Sequence, residues 1–367
     1  MGIFGYNWIL LGNNMGITMW DLSKISITAE MLNLIAEIDE FKGTWQLLGR
    51  LAPERLQALR KIATIESIGS STRIEGSALS DREVERLLSN LKTDAFASRD
   101  EEEVAGYAYV CEEVFQSFEA IPFSENTIKQ LHEWLLKFSK KDQRHRGEYK
   151  KSPNHVEAFN ESGESIGVVF ETASPFETPM KMETLILWAR EQLEQKTLHP
   201  LMIIGIFIVA FLAIHPFQDG NGRLSRILSS LLLLKSNYLY VPYSSLESII
   251  ENSKESYYLA LRRTQASLKS EAPDFNPWLL FFLRSLKKQK IHLAQKISQE
   301  KHFMLHLPEL SSRILIIIRE HGKLGIGDME KMTATNRNTL NKHPANLVKQ
   351  GYILRMGKGR ATWYILP

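Results

Sequence analysis

Between His215 and Arg226 the chain reads HPFQDGNGRLSR, which sets an imidazole, a carboxylate, a glycine-flanked asparagine and two arginines within a dozen residues. Histidine is the side chain best suited to accept a proton near neutral pH, so His215 fits a general base that activates a hydroxyl. Asp219 offers the hard oxygen ligand that Mg2+ prefers when it also holds substrate phosphates. Gly220, Asn221 and Gly222 can aim consecutive N–H groups inward. A helix starting near Arg223 and continuing through Leu224 and Ser225 adds its positive N-terminus, as phosphate sites do. Arg223 and Arg226, three residues apart, share a helical face and can reach one polyphosphate. These are the parts of a phosphoryl or nucleotidyl transferase. A helical corner with a buried histidine and solvated arginines is the plainer alternative; the joint occurrence of all the parts favours the site. No G-x-x-x-x-G-K-[ST] is present, so the P-loop reading fails.

The elements around this stretch must hold it rigidly. Leu201–Ile214 is the most apolar run of the chain, and at fourteen residues it suits a buried core helix better than a membrane span. Ile35–Leu48, Pro53–Ser70, Asp81–Leu91, Glu101–Ile121, Ser124–Ser139, Thr178–Gln195 and Pro200–Ile214 carry apolar residues at helical spacing. Gly147–Ser174 breaks this rhythm with Gly, Pro, Asn and β-branched residues, so a hairpin or extended flap is expected there. The predicted fold class is therefore mainly α.

The 367 residues exceed one average domain, and 44% apolar with 24% charged content is ordinary for a globular protein. A formal charge of +3 does not by itself imply nucleic acid. The single cysteine, Cys111, excludes a disulfide framework and fits a reducing cytoplasm. The apolar start, Ile3–Leu11, has no basic region ahead of it and Asn7 interrupts it, so neither a signal peptide nor a membrane partner is expected.

HPFQDGNGRLSR resembles the complete active-site motif of Fic-domain proteins, H-x-F-x-[DE]-G-N-G-R-x-x-R, at every defined position. The resemblance runs from about Ala29 to Leu286. It implies a Fic-type helical core with a β-hairpin flap, and transfer of AMP from ATP to a Ser, Thr or Tyr hydroxyl of a target protein and of the chain itself. By the same resemblance His215 is the base and Asp219 holds Mg2+. Asn221 and the amides of Gly220 to Arg226 cradle phosphate, the two arginines neutralise it, and Phe217 anchors the loop.

Ser71-Thr72-Arg73-Ile74-Glu75-Gly76 resembles the inhibitory motif [ST]-x-x-x-E-[GN] of the class that carries it ahead of the Fic core. The implied brake is Glu75 pairing with Arg226, with Ser71 and Gly76 framing it. Alone, these six residues also read as a helix C-terminus with a glycine cap. Phe170, Glu171 and Thr172 occupy the place of the family's flap, which aligns the target segment, although the family's small-residue and proline string is absent. Asn252, Tyr257, Tyr258 and Gln265 fall where relatives close over adenine; an aromatic pair on a helix equally suits a core.

A basic helix, Lys287–Lys301, reads as a connector, and after Pro308 the pattern changes. Ser311–Glu320, Ile326–Met332 and Thr335–Lys349 read as three helices, followed by a two-stranded ribbon turning at Gly357-Lys358-Gly359: a winged helix-turn-helix pattern (α+β). Ten Lys/Arg against four Asp/Glu from Glu309 onward favour DNA over protein docking. Asn336, Arg337, Asn338, Asn341, Lys342 and Lys358 are the candidate contacts, and Pro344 is expected to kink or end the third helix. The expected organisation is 1–90 (helical, inhibitory), 91–287 (Fic), 288–308 (connector) and 309–367 (winged helix). Two other functions stay open: a nucleotide-sensing DNA-binding regulator, and a Fic enzyme transferring another phosphate-containing group. Oligomeric state is open too, a homodimer included.

Overall fold

The computed structural model describes residues 25–48, 53–90, 96–159, 165–270, 272–305, 308–349, 351–357, 359 and 362–366. The chain divides into two compact units after Leu293.

In the first unit, helices α1 (Ala29–Leu48), α2 (Pro53–Ile74), α3 (Asp81–Ser89), α4 (Arg99–Ser117) and α5 (Glu125–Leu135) come first. Hydroxyls set several starts: Thr28 accepts from the Met31 amide, Ser98 from Glu101 and Ser124 from Thr127. Helix α2 runs four residues past the predicted end at Ser70, so Ser71 lies in its last turn. Gly76, at φ +107, then turns the chain away in a conformation that a residue with a Cβ rarely adopts.

Strands β1 (His155–Phe159) and β2 (Ser165–Glu171) form the expected antiparallel hairpin, His155 opposite Glu171 and Phe159 opposite Ser165. Helices α6 (Thr178–Gln195), α7 (Pro200–Ile214), α8 (Asn221–Lys235), α9 (Leu246–Glu251), α10 (Lys254–Ser267) and α11 (Asn276–Leu305) complete the series. Helix α7 is apolar on all sides and buried along almost its whole length. It packs against α6 and α8, and α8 in turn meets α4 and α5, so the loop between α7 and α8 rests on a rigid floor. The predicted separate connector helix is instead part of α11, which runs unbroken because no Gly or Pro occurs between Trp278 and Leu305.

From Glu309 the second unit contains α12 (Glu309–His321), β3 (Lys323–Gly325), α13 (Ile326–Thr333), α14 (Arg337–Lys349), β4 (Leu354–Met356) and β5 (Trp363–Ile365). The strands form an antiparallel sheet in the order β3-β5-β4, around a core that includes Ile314, Ile318, Met329, Leu340 and Leu347. A third strand, β3, thus joins the expected two-stranded ribbon. Pro344 neither ends nor shortens α14, which continues to Lys349 with the proline ring buried. No helix among the described residues is long and apolar enough to cross a membrane.

Glycine 106 lets α4 meet α5 closely: a Cβ there would overlap the Leu135 carbonyl. Gly106→Ala should therefore lower the unfolding free energy by about 1–3 kcal/mol, measured by urea denaturation. Unchanged stability would contradict this close approach.

Candidate active site

Helix α7 ends at His215, whose backbone adopts a left-handed conformation (φ 53, ψ 60) while its amide still bonds the Phe211 carbonyl at 2.9 Å. Pro216 cannot continue the helix. The ring Nδ1 lies 3.3 Å from the Leu212 carbonyl. A carbonyl only accepts, so Nδ1 carries the proton and Nε2 keeps its lone pair. Burial pushes the His215 pKa down to about 4, so the ring is neutral near pH 7.

The loop after His215 is closed by Asn221. Its amide oxygen accepts from the Phe217 N–H at 2.9 Å, and its NH2 donates to the Phe217 carbonyl at 2.7 Å. The side chain expected to cradle phosphate thus shapes the loop. Phe217 is fully buried and stacks on His132 with ring centroids 3.8 Å apart. His132 accepts from the Gly147 amide at Nδ1 (2.9 Å) and donates from Nε2 to the Asp219 carbonyl (3.0 Å).

The Asp219 carboxylate lies in a four-membered charge network. Its Oδ2 accepts from Arg99 at 2.8 Å, and its Oδ1 faces Arg223 at 3.3 Å. Glu103 closes the network, 2.8 Å from both Arg99 and Arg223. Burial alone would raise the Asp219 pKa, but Arg223, the Gly220 amide and Arg99 hold it below the usual carboxylate range. Among the described residues no cluster of three or more His, Cys, Asp or Glu could hold a metal unaided.

Arg226 is only 4% exposed and is gripped by the last turn of α2. Its Nε donates to Ser71 Oγ (2.8 Å), and Nη2 donates to the Ser71 carbonyl (3.0 Å) and to Glu75 Oε1 (2.7 Å). The Glu75 side chain is 32% exposed and lies directly over the start of α8, where a Cβ on Gly222 would overlap its carboxylate. Burial works against its charge, yet Arg226, then Arg223 and His215, hold the pKa below the ordinary range. A carboxylate thus occupies the place and the cation that an anionic ligand of this helix start would use.

The other candidates divide. Thr172 turns inward at the base of β2, Glu171 is exposed and 3.6 Å from Lys269, and the side chain of Phe170 lies outside the described atoms. Tyr257 packs in the core against Trp278 and Phe281, and lines a small cavity with Arg226, Ser225 and Glu247. Tyr258 on α10 and Asn252 at the end of α9 are both exposed, whereas Gln265 is buried on α10. Asn336 caps α14 by accepting from the Thr339 amide at 3.1 Å; Arg337, Asn341 and Lys342 are exposed. Lys358 and the side chain of Asn338 lie outside the described residues.

Sequence reasoning missed His132, Arg99, Glu103, Lys150 and Asn154. The Lys150 Nζ donates to the Ile214 carbonyl (3.1 Å) just before His215, and burial pushes its pKa down to about 8. The one available signal was a cluster of polar residues, Gly147–Asn154, interrupting an otherwise helical pattern beside the flap.

The helix–loop–helix site lies within residues 122–233, the stretch that matches the Fic/DOC family. A relative from Aquifex aeolicus, named "Probable protein adenylyltransferase", is 27% identical over 158 residues, covering 41% of this chain and 48% of that protein. The chain thus spans about half the length of that curated relative. Protein adenylyltransferase Fic of Drosophila melanogaster is 24% identical over 185 residues, covering 50% of this chain and 35% of the fly protein. Among solved structures, a Fic family protein from Desulfovibrio desulfuricans superposes with a TM-score of 0.61 at 24% identity, covering 94% of this chain and 98% of that one. A Fic domain containing signaling protein from Bacteroides thetaiotaomicron gives 0.56 at 26% identity, covering 71% and 97%.

His132 also links the site to stability. Burial pushes its pKa down to about 4, below the roughly 6.5 of an unfolded histidine. The unfolded state therefore binds more protons in that window, and stability is full above pH 6.5 and falls as pH drops towards 4. The loss from His132 should be on the order of 3 kcal/mol. Urea unfolding at stepped pH should show it, with a shallower pH dependence in His132→Gln; parallel curves would refute the assignment.

Proposed function

We propose that this chain transfers AMP from ATP to a Ser, Thr or Tyr hydroxyl of a target protein, and to itself, and that Glu75 restrains the transfer. The observation that carries this reading is a neutral imidazole with a free Nε2 beside a helix start and a buried arginine. The adenylyltransferase names of the two relatives support it.

His215 takes the proton of the target hydroxyl at Nε2. The hydroxyl oxygen forms a bond to the α-phosphorus as the bond to the bridging oxygen breaks, and pyrophosphate leaves with the electron pair. Amides at the start of α8 and the Arg226 guanidinium face the phosphates, so the protein contributes positioning and charge neutralisation. The ionised Asp219 fits Mg2+ held by one carboxylate together with substrate phosphates, and such an ion would neutralise charge on the departing pyrophosphate. The edge of β2 away from β1, unpaired among the described residues, suits strand pairing with the target's hydroxyl segment.

With Glu75 on Arg226, the cation that would fix the terminal phosphate is occupied. Glu75→Gly should raise incorporation of labelled AMP into the purified protein at least tenfold, because one charge-assisted contact of about 1.5–3 kcal/mol is released. Adding His215→Ala should abolish it. Equal incorporation by wild type and Glu75→Gly would remove Glu75 as a brake, and labelling that survives His215→Ala would sink the mechanism. Supplying UTP or CDP-choline in place of ATP separates the donors.

We further propose that the second unit is a winged helix that binds DNA. Arg337, Asn341, Lys342 and Lys349 are exposed along α14. A gel shift with genomic fragments should weaken steeply with salt and fade in Arg337→Ala/Lys342→Ala. Salt-independent or undiminished binding would count against it.

A further inference from the structure

Two residues outside the motif hold four consecutive carbonyls of the base loop. The Ile214 carbonyl accepts from Lys150 Nζ (3.1 Å) and that of His215 from Asn154 Nδ2 (3.4 Å). Pro216 accepts from the Lys150 amide (2.8 Å) and Phe217 from Asn154 Nδ2 (2.8 Å). The same pair grips the base of the flap. Lys150 Nζ donates to Thr172 Oγ1 (2.8 Å) and to Asn154 Oδ1 (2.7 Å), and the Thr172 hydroxyl donates to the Asn154 carbonyl (2.7 Å).

Lys150 is only 2% exposed, and its three N–H groups meet three neutral oxygens. Among the described residues no carboxylate pairs with it. Burying an ammonium on neutral acceptors is costly, and an apolar side chain would fill the same space with less penalty. A residue kept at such a cost is explained by what it connects. One side of it is the loop that carries the base; the other is the strand that would present the acceptor.

We propose that Lys150, Asn154 and Thr172 are positioning residues that lock His215 and the flap into one frame, so that a hydroxyl laid along β2 arrives at Nε2. This rests on the AMP-transfer reading and adds to it which residues set the alignment of acceptor and base. None of the three touches the reacting atoms. Their loss should lower turnover while leaving ATP binding intact.

The test uses the full chain with Glu75→Gly as parent. Thr172→Val keeps the shape and removes the hydroxyl, whereas Thr172→Ser keeps the hydroxyl. Thr172→Val and Lys150→Met should lower kcat for AMP transfer about tenfold or more, with KM for ATP within about twofold of the parent, and Thr172→Ser should retain most of the rate. Hydrogen exchange should quicken together in the segments around 165–171 and 214–221. Parental kcat in a folded Lys150→Met, equal loss in Thr172→Ser and Thr172→Val, or faster exchange in the flap alone would each overturn the proposal. If Lys150→Met does not fold, the Thr172 pair carries the decision. A parent that transfers no AMP would refute the function proposed above, while the exchange result would still decide this one.

Discussion

The structure turns on one guanidinium. Arg226 is buried, and a buried cation without partners is untenable, so the surroundings must supply acceptors. Ser71 supplies two from the last turn of α2, and Glu75, just after that turn, a third. That turn is itself clamped: Arg73 bonds Glu251 through two nitrogens (2.6 and 3.0 Å) and Asp81 at 2.9 Å. Helices α2, α3 and α9 therefore converge on a contact that belongs chemically to the start of α8. Removing Glu75 leaves both Ser71 contacts, so Arg226 stays oriented while its outer face becomes free.

His215 obeys a different constraint. A histidine that must take a proton needs a fixed tautomer and a fixed direction. Leu212 sets the tautomer, the left-handed turn at His215 sets the direction, and the loop behind it is fastened by its own backbone. Asn221 and the His132–Phe217 stack close the loop from inside, while Lys150 and Asn154 hold it from the flap side. The loop that carries His215 and the turn that carries Glu75 are thus built from separate elements that converge at the start of α8.

Much of this was legible in the residues. The apolar run Leu201–Ile214, short for a membrane span, is the buried helix it was expected to be, and the contiguous motif occupies one turn and one helix start. At Ser71–Gly76 the structure shows the glycine-ended helix of one reading, and that ending delivers Glu75 to Arg226, the contact on which the proposed brake rests. What stayed hidden lies on other elements. His132, Arg99, Glu103 and Lys150 are ordinary polar residues in their own helices and turns, and only packing gives them a partner. The side-chain role of Asn221 was hidden for the same reason, because it both accepts from and donates to the Phe217 backbone. Pro344 shows the reverse limit: a local rule against proline in helices yielded to the burial of that face of α14.

The central claim is that Glu75 and the terminal phosphate of ATP compete for Arg226. Calorimetric titration of ATP and of AMP into His215→Ala, with and without Glu75→Gly, tests it without turnover. AMP lacks the terminal phosphate and should bind both proteins equally. ATP should bind the Glu75→Gly form about tenfold more tightly, the worth of one charge-assisted contact. An ATP-to-AMP affinity ratio that is the same in both proteins would contradict the competition outright.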